Sequence, residues 1–290
     1  MHGLEARVAG LLGARPVRWQ RRSAPWQPAE AVPGGNDRYS VDLDDGRRVF
    51  VKAAKAPHTA RWLRREAEVY AHLQGSFMVD LIAFEDDPVE PILVVDDLSD
   101  ADWGIRWDPA RVTAVRAALA AVAASAPPPN TPTVREILAD DPGWEAVRAD
   151  PGPFLSTGIR PRAWLDRFLP TLRDAADAAP LDGSDLLHLD VRSDNLCLRD
   201  GEAILIDWNW CSIGPADFDV AAWLPSLARE GGPPPWEVLP GAGEYAAFLA
   251  GFWAAVVGLP PPSTAPTVRE GQRRQLEVAL TWCERELLLG

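Results

Sequence analysis

Lysine is almost missing from this chain. Of 29 basic side chains in 290 residues, two are lysines, Lys52 and Lys55; the other 27 are arginines. Basic residues as a class also fall short, 29 against 42 acidic ones, for a net charge of -13. That balance argues against a protein that grips nucleic acid by its phosphates. Cysteine is scarce and odd in number, with Cys197, Cys211 and Cys283 in no CxxC pair. No disulfide or zinc framework is expected, which suits a reducing compartment. Only four histidines are present, none paired at a spacing such as HxxxH, and this argues against a metal-dependent hydrolase. Long apolar runs are missing too. The uncharged stretch Tyr245–Pro262 is rich in Ala and Gly and ends in three prolines, so it reads as a buried helix plus a loop, not a membrane span. The first residues carry Glu5 and Arg7 and no long apolar core, so no signal peptide is expected and the cytoplasm is the expected location.

What is present is ordinary globular composition, 47% hydrophobic and 24% charged, in a length that suggests about two domains. Up to residue 100 the chain reads mostly as strands with one or two helices; beyond it, mostly as helices. The segment Arg38–Leu43 alternates Tyr39, Val41 and Leu43 with polar residues, Asp44-Asp45-Gly46 is a turn, and Arg48–Lys52 is the return strand. Thr59–Leu73 is an amphipathic helix and Pro91–Asp96 a buried strand. Asp108-Pro109 opens a helix to about Ser125, and Thr133–Glu136 and Thr267–Glu270 are both written as capping boxes. Residues 1–100 carry 13 basic and 16 acidic side chains, and residues 101–290 carry 16 and 26, so the second part is expected to be the more acidic one. Such a lobe would draw in a cationic acceptor, or it is ordinary solubility charge.

One stretch concentrates chemistry: LLHLDVRSDNLCLRDGEAILID, Leu186–Asp207. Arg199-Asp200-Gly201 is a hairpin turn between two short apolar strands, and an antiparallel hairpin sets its end residues, Asn195 and Asp207, side by side. An amide oxygen and a carboxylate are hard ligands that suit Mg²⁺. Asp190 supplies a third, free carboxylate just before the hairpin. Phosphoryl transfer needs that set: a divalent ion on the nucleotide phosphates and a carboxylate that orients the attacking hydroxyl and takes its proton. Taken singly, Asp and Asn at hairpin ends are also common turn formers. Lys52 sits among apolar strand residues and needs an anionic partner. At 100° per residue Glu66 falls in the middle of the apolar stripe with Trp62, Leu63, Val69, Tyr70 and Leu73, while Glu68 falls on the far side. A Lys52–Glu66 pair would hold the lysine ready for phosphates, whereas Lys55 reads as a surface residue.

The chain thereby resembles the aminoglycoside phosphotransferase family, the small-molecule branch of the protein-kinase-like fold. The motif H-x-D-x-x-x-x-N stands as His188–Asp190 through Asn195, the I-D-W segment as Ile206-Asp207-Trp208, and the following G-x-x-x-x-D-x-A as Gly214 through Ala221. The resemblance implies an α+β, bilobal fold: an antiparallel-sheet lobe over residues 1–97 and a mainly helical lobe over 98–290. It implies transfer of the γ-phosphoryl of ATP or GTP to a hydroxyl of a small molecule, with an aminoglycoside-like cation or an amino alcohol among the acceptors. Asp190 would be the base, Asn195 and Asp207 the Mg²⁺ ligands and Lys52 the phosphate contact, with Glu66 as its partner. His188 and Asp219 would be structural members of the catalytic loop. The Asp96 carbonyl and Leu98 N–H would meet the nucleobase, and Gly34-Gly35-Asn36 would cradle phosphates, although it is not a GxGxxG. Asn209 stands two residues after Asp207 where protein kinases have Gly, which fits the small-molecule branch. Asp194 stands where the family often has Gly, either paired with Arg192 or near the metal. A catalytically silent nucleotide-binding protein would be expected to lack Asp190, Asn195, Asp207 or Lys52, and all four are present. No nucleic acid or membrane partner is expected; no oligomeric state is fixed, and a monomer is the working expectation.

Overall fold

Alternation of buried and polar residues writes a five-stranded antiparallel sheet, seen in a computed structural model that describes residues 2–22, 36–104, 106–263 and 265–288. Its strands are β1 (Pro16–Arg21), β2 (Asp37–Leu43), β3 (Arg48–Ala53), β4 (Leu81–Glu85) and β5 (Ile92–Asp96), in the order β1-β2-β3-β5-β4. One face of this sheet is apolar: Tyr39, Val41, Leu43, Val49, Val51, Ala53, Ile92 and Val94 cluster with Val8 of the helix His2–Leu12. The other face carries Lys52 and receives the helix Pro57–His72. That helix buries Leu63, Glu66, Ala67, Val69 and Tyr70. It starts two residues before Thr59. Ala56 offers no capping side chain, so the Thr59 hydroxyl accepts from Ala56 N–H (3.1 Å) in its place. Trp62, expected in the apolar stripe, is 48% exposed and meets His58 edge-on. Lys55, read as a surface residue, is half exposed and pairs with Asp37 at 2.5 Å.

The chain forms two compact units, and they do not follow a single cut at 97/98. The first holds residues 1–103 and 194–210; the second holds 104–193 and 211–290. The hairpin β7 (Leu196–Arg199) and β8 (Glu202–Leu205) thus belongs with the sheet unit. Leu205 N–H donates to Phe77 C=O (2.7 Å), Trp208 is fully buried against Phe77, and Asp102 and Leu198 exchange two backbone bonds. Local sequence pattern carries no trace of these long-range contacts. With this division the charge asymmetry disappears. The first unit has 14 basic and 21 acidic residues (net -7), and the second has 15 and 21 (net -6).

The second unit is helical. Its main helices are Pro109–Ala123, Arg162–Asp177, Ala216–Arg229, Gly243–Ala254 and Val268–Cys283. Asp108 caps the first, accepting from Arg111 N–H (2.8 Å), and Thr133–Glu136 forms the expected capping box. Thr267 does not; its backbone is already helical and its side chain makes no cap bond. The helix within Tyr245–Pro262 is buried on nearly all sides. At Gly251 a Cβ would come 2.8 Å from the Trp144 ring, whose Nε1–H donates to Ala247 C=O (2.8 Å). Two short strands, β6 (Asp185–Leu187) and β9 (Ser212–Gly214), pair antiparallel. Among the described residues no helix is long and apolar enough to cross a membrane.

Candidate active site

The sheet unit builds its polar centre on Lys52. Its neighbours Val51 and Ala53 are buried, and so is Lys52 itself. An ammonium in that position is costly unless paired. Glu66, one turn above Leu63 on the facing helix, supplies both carboxylate oxygens, at 2.6 and 2.8 Å from Nζ. Burial raises the Glu66 carboxyl above the ordinary range, and Lys52 pulls it part of the way back.

Asp207 is the second anion. Its Oδ1 lies 3.3 Å from Lys52 Nζ and accepts from Asn209 Nδ2 at 2.7 Å; its Oδ2 lies 3.7 Å from Arg38 Nη2. Asp207 adopts a left-handed backbone, φ 67°, two residues past the end of β8. Such a conformation is uncommon outside glycine, and Asp and Asn are the residues that adopt it most readily. Asn195 enters the same unit through the hairpin, buried, with its carbonyl accepting from Ile206 N–H (2.9 Å). The ladder pairs Leu196 with Leu205, so Asn195 lies opposite Ile206 and not, as the sequence suggested, opposite Asp207. The turn is the reason. Asp200 and Gly201 both have positive φ and form a two-residue turn flanked by the pair Arg199 and Glu202; counting back from that pair sets Asn195 against Ile206 and leaves Asp207 one position beyond it. Two members were missed in the sequence as site residues, Arg38 and Asn209. The Asn209 amide must donate to the carboxylate, and this leaves its Oδ1 buried and without a hydrogen-bond partner among the described residues. Amide oxygens of Asn195 and Asn209 with the Asp207 carboxylate are the hard donor set that a magnesium ion takes, so the residues fit the implied metal. Among the described residues there is no cluster of three or more His, Cys, Asp or Glu arranged to hold a metal.

Asp190 lies in the second unit, on the loop after β6. Its backbone N–H donates to His188 Nδ1 (3.2 Å), and its Oδ2 lies 3.2 Å from Arg192 Nη2. Asp219 braces the loop from the helix Ala216–Arg229, accepting from His188 N–H (2.7 Å) and Leu189 N–H (2.8 Å). Leu189 is held at φ 60° by this grip. Burial pushes the Asp219 carboxyl up to about 6, against the two N–H donors that pull it down. A carboxyl whose folded value lies above its ordinary value of 3.8 favours folding most when protonated. Its contribution is therefore present at low pH and lost as pH rises from about 4 through 6. Asp219→Asn is expected to remove that dependence. It should also cost about 1–3 kcal/mol, because the amide keeps one acceptor oxygen and turns its NH2 group, a donor, toward the other of the two N–H groups. Denaturant midpoints of both proteins between pH 4 and 7 check this.

The segment expected to meet a nucleobase is firmly anchored. Arg199 holds Asp96 Oδ2 (2.7 Å) and Asp97 C=O (2.8 Å), while Leu98 C=O accepts from Trp103 Nε1–H (2.8 Å). Asp97 is buried, and its Oδ1 accepts from Ser99 N–H (2.9 Å). Gly34 and Gly35 lie outside the described residues.

Comparison with known proteins follows the same outline. The chain superposes on a choline/ethanolamine kinase family protein from Mesorhizobium loti with TM-score 0.56 at 15% identity, over 100% of this chain and 96% of that one. A macrolide 2'-phosphotransferase type I gives 0.53 at 16% identity, over 96% and 87% of the two chains. An amicoumacin kinase, solved in complex with AMP-PNP, Ca²⁺ and Ami, gives 0.53 at 12% identity, over 97% and 93%. At these identities the likeness establishes the kinase-like α+β fold. No curated protein matches the chain in sequence. The family model APH, phosphotransferase enzyme family, matches residues 29–256, and the chain, with its paired Lys52 and Glu66 and its braced Asp190 loop inside that span, belongs to this family.

Proposed function

We propose that this protein is an ATP- or GTP-dependent O-phosphotransferase acting on a small-molecule hydroxyl, in the cytoplasm, with Mg²⁺ as its metal. The observation that carries the reading is the buried Lys52, gripped by both oxygens of Glu66 and 3.3 Å from Asp207, within a phosphotransferase family match. Lys52 contacts the donor phosphates, and Glu66 holds its ammonium in place with both carboxylate oxygens. Asn195 and Asp207 hold the metal, with Asn209 orienting the Asp207 carboxylate. When bound, the metal neutralises charge on the β- and γ-phosphates. Asp190, steadied by Arg192 and by the Asp219 brace, accepts the proton of the attacking hydroxyl. The Asp96 carbonyl and Leu98 N–H face the nucleobase on a strand end that Arg199 fixes.

The acceptor's charge is a separate matter. A cationic acceptor drew its support from a second lobe more acidic than the first, and the net charges of -7 and -6 withdraw that support. A neutral or a cationic hydroxyl compound suits the chain equally. A screen of purified protein with Mg-ATP and Mg-GTP against aminoglycosides, macrolides, peptide antibiotics and amino alcohols tests the reading. Acceptor-dependent release of nucleoside diphosphate with a phosphorylated product is expected. Binding of the triphosphate without turnover on any member would favour a silent nucleotide-binding protein.

A further inference from the structure

We propose that Arg38 is a second phosphate-binding cation of the nucleotide site, working as a pair with Lys52; the inference rests on the donor reading above. Arg38 and Lys52 are directly opposite each other on β2 and β3, so their side chains leave the sheet on the same face. Like charges placed in that way repel, and a strand that keeps them needs anions to match both. Glu66 commits both its oxygens to Lys52. Among the described residues, the Arg38 side chain has only the looser contact, 3.7 Å from Asp207 Oδ2, beyond hydrogen-bond length. Asp207 Oδ1 is meanwhile served by Lys52 and Asn209.

Arg38 is further under-used. Its side chain is 18% exposed, and its Nε is buried with no hydrogen-bond partner among the described residues. A guanidinium that merely braced Asp207 would be expected to make a short, two-pronged contact, as Arg160 does with Glu284 at 2.8 and 3.0 Å. Once Asp207 is committed to a divalent cation, the charge of Arg38 is left without its counter-ion. A phosphate oxygen then supplies one, and the planar donor set of arginine suits phosphate in a way an ammonium does not. The chain's extreme preference for arginine fits this division, a point charge at Lys52 and a fork at Arg38.

The test is calorimetric binding of Mg²⁺ with AMP-PNP, or GMP-PNP where the wild type prefers guanine, beside binding of the free nucleoside. Arg38→Ala is expected to weaken the triphosphate analogue about tenfold or more, the worth of a charged hydrogen bond, and to leave nucleoside affinity unchanged. Arg38→Lys should fall between the two. Triphosphate affinity within about twofold of wild type in Arg38→Ala overturns the proposal. Equal losses for triphosphate and nucleoside, in both variants, would make Arg38 a structural brace and overturn it as well. A wild-type protein that binds neither analogue would instead overturn the nucleotide reading beneath it.

Discussion

Asp190→Asn is expected to lower turnover by about 10²–10⁴-fold while nucleotide binding persists, the usual worth of a positioned base. The side chain keeps its size, and the backbone N–H that reaches His188 Nδ1 is untouched. What is lost is the acceptor for a hydroxyl proton, and with it the charge that holds Arg192. Only 21% of the Asp190 side chain is exposed, yet it is not sealed in the core, so the exchange should cost little stability. Lys52, Glu66 and Asp207 do not change, and the affinity for Mg²⁺ with AMP-PNP should stay within about twofold. Single-turnover rates and a nucleotide titration on the same preparation separate the two effects. Turnover equal to wild type would remove Asp190 from the role of base. Asp219→Asn provides the contrast: it acts on the same loop through its backbone, so stability and turnover should fall together.

The parts of the site that follow from local periodicity were legible in the sequence. Glu66 faces inward because a helix repeats every 100°, and Lys52 needed a partner because its strand neighbours are apolar. Arg38 left a weaker signal. It lies among the polar residues of an alternating strand, and only its register across the Asp44-Asp45-Gly46 turn sets it opposite Lys52. That register could have been counted from the turn. Asn209 was visible only as a departure from glycine; its bond to Asp207 depends on the irregular backbone after β8. The helix His2–Leu12 and the edge strand β1 escaped notice for a different reason. The strand is mostly exposed, and neither element shows clean alternation or a full apolar stripe. The place of the β7–β8 hairpin in the first unit was hidden altogether, since it depends on Phe77 and Asp102, about a hundred residues away in sequence.

Lys52→Met should be the most damaging substitution for stability. A methionine matches the lysine stem in length, so packing is largely kept and the loss is electrostatic. Removing one partner of a buried ion pair costs about 3–5 kcal/mol, because the other charge is left in the interior. Glu66 is that charge, with 1% of its side chain exposed and Asp207 as a further negative neighbour. Its carboxyl is already raised by burial in the wild type, and the loss of Lys52 raises it more. A raised carboxyl favours folding in its protonated form, so its contribution is greatest at low pH and is lost as pH climbs through the folded value. The variant should therefore lie nearest to wild type at the acid end of a series from about pH 5 to 8 and fall behind as pH rises. Glu66→Gln added to Lys52→Met should flatten that difference and recover part of the stability, while affinity for the triphosphate stays low because the phosphate contact is still gone. Denaturant midpoints across the series, with AMP-PNP titrations at neutral pH, read both properties. A deficit independent of pH, or a double variant no more stable than the single one, would show that Glu66 is not the stranded charge. Triphosphate affinity restored in the double variant would place the phosphates away from Lys52.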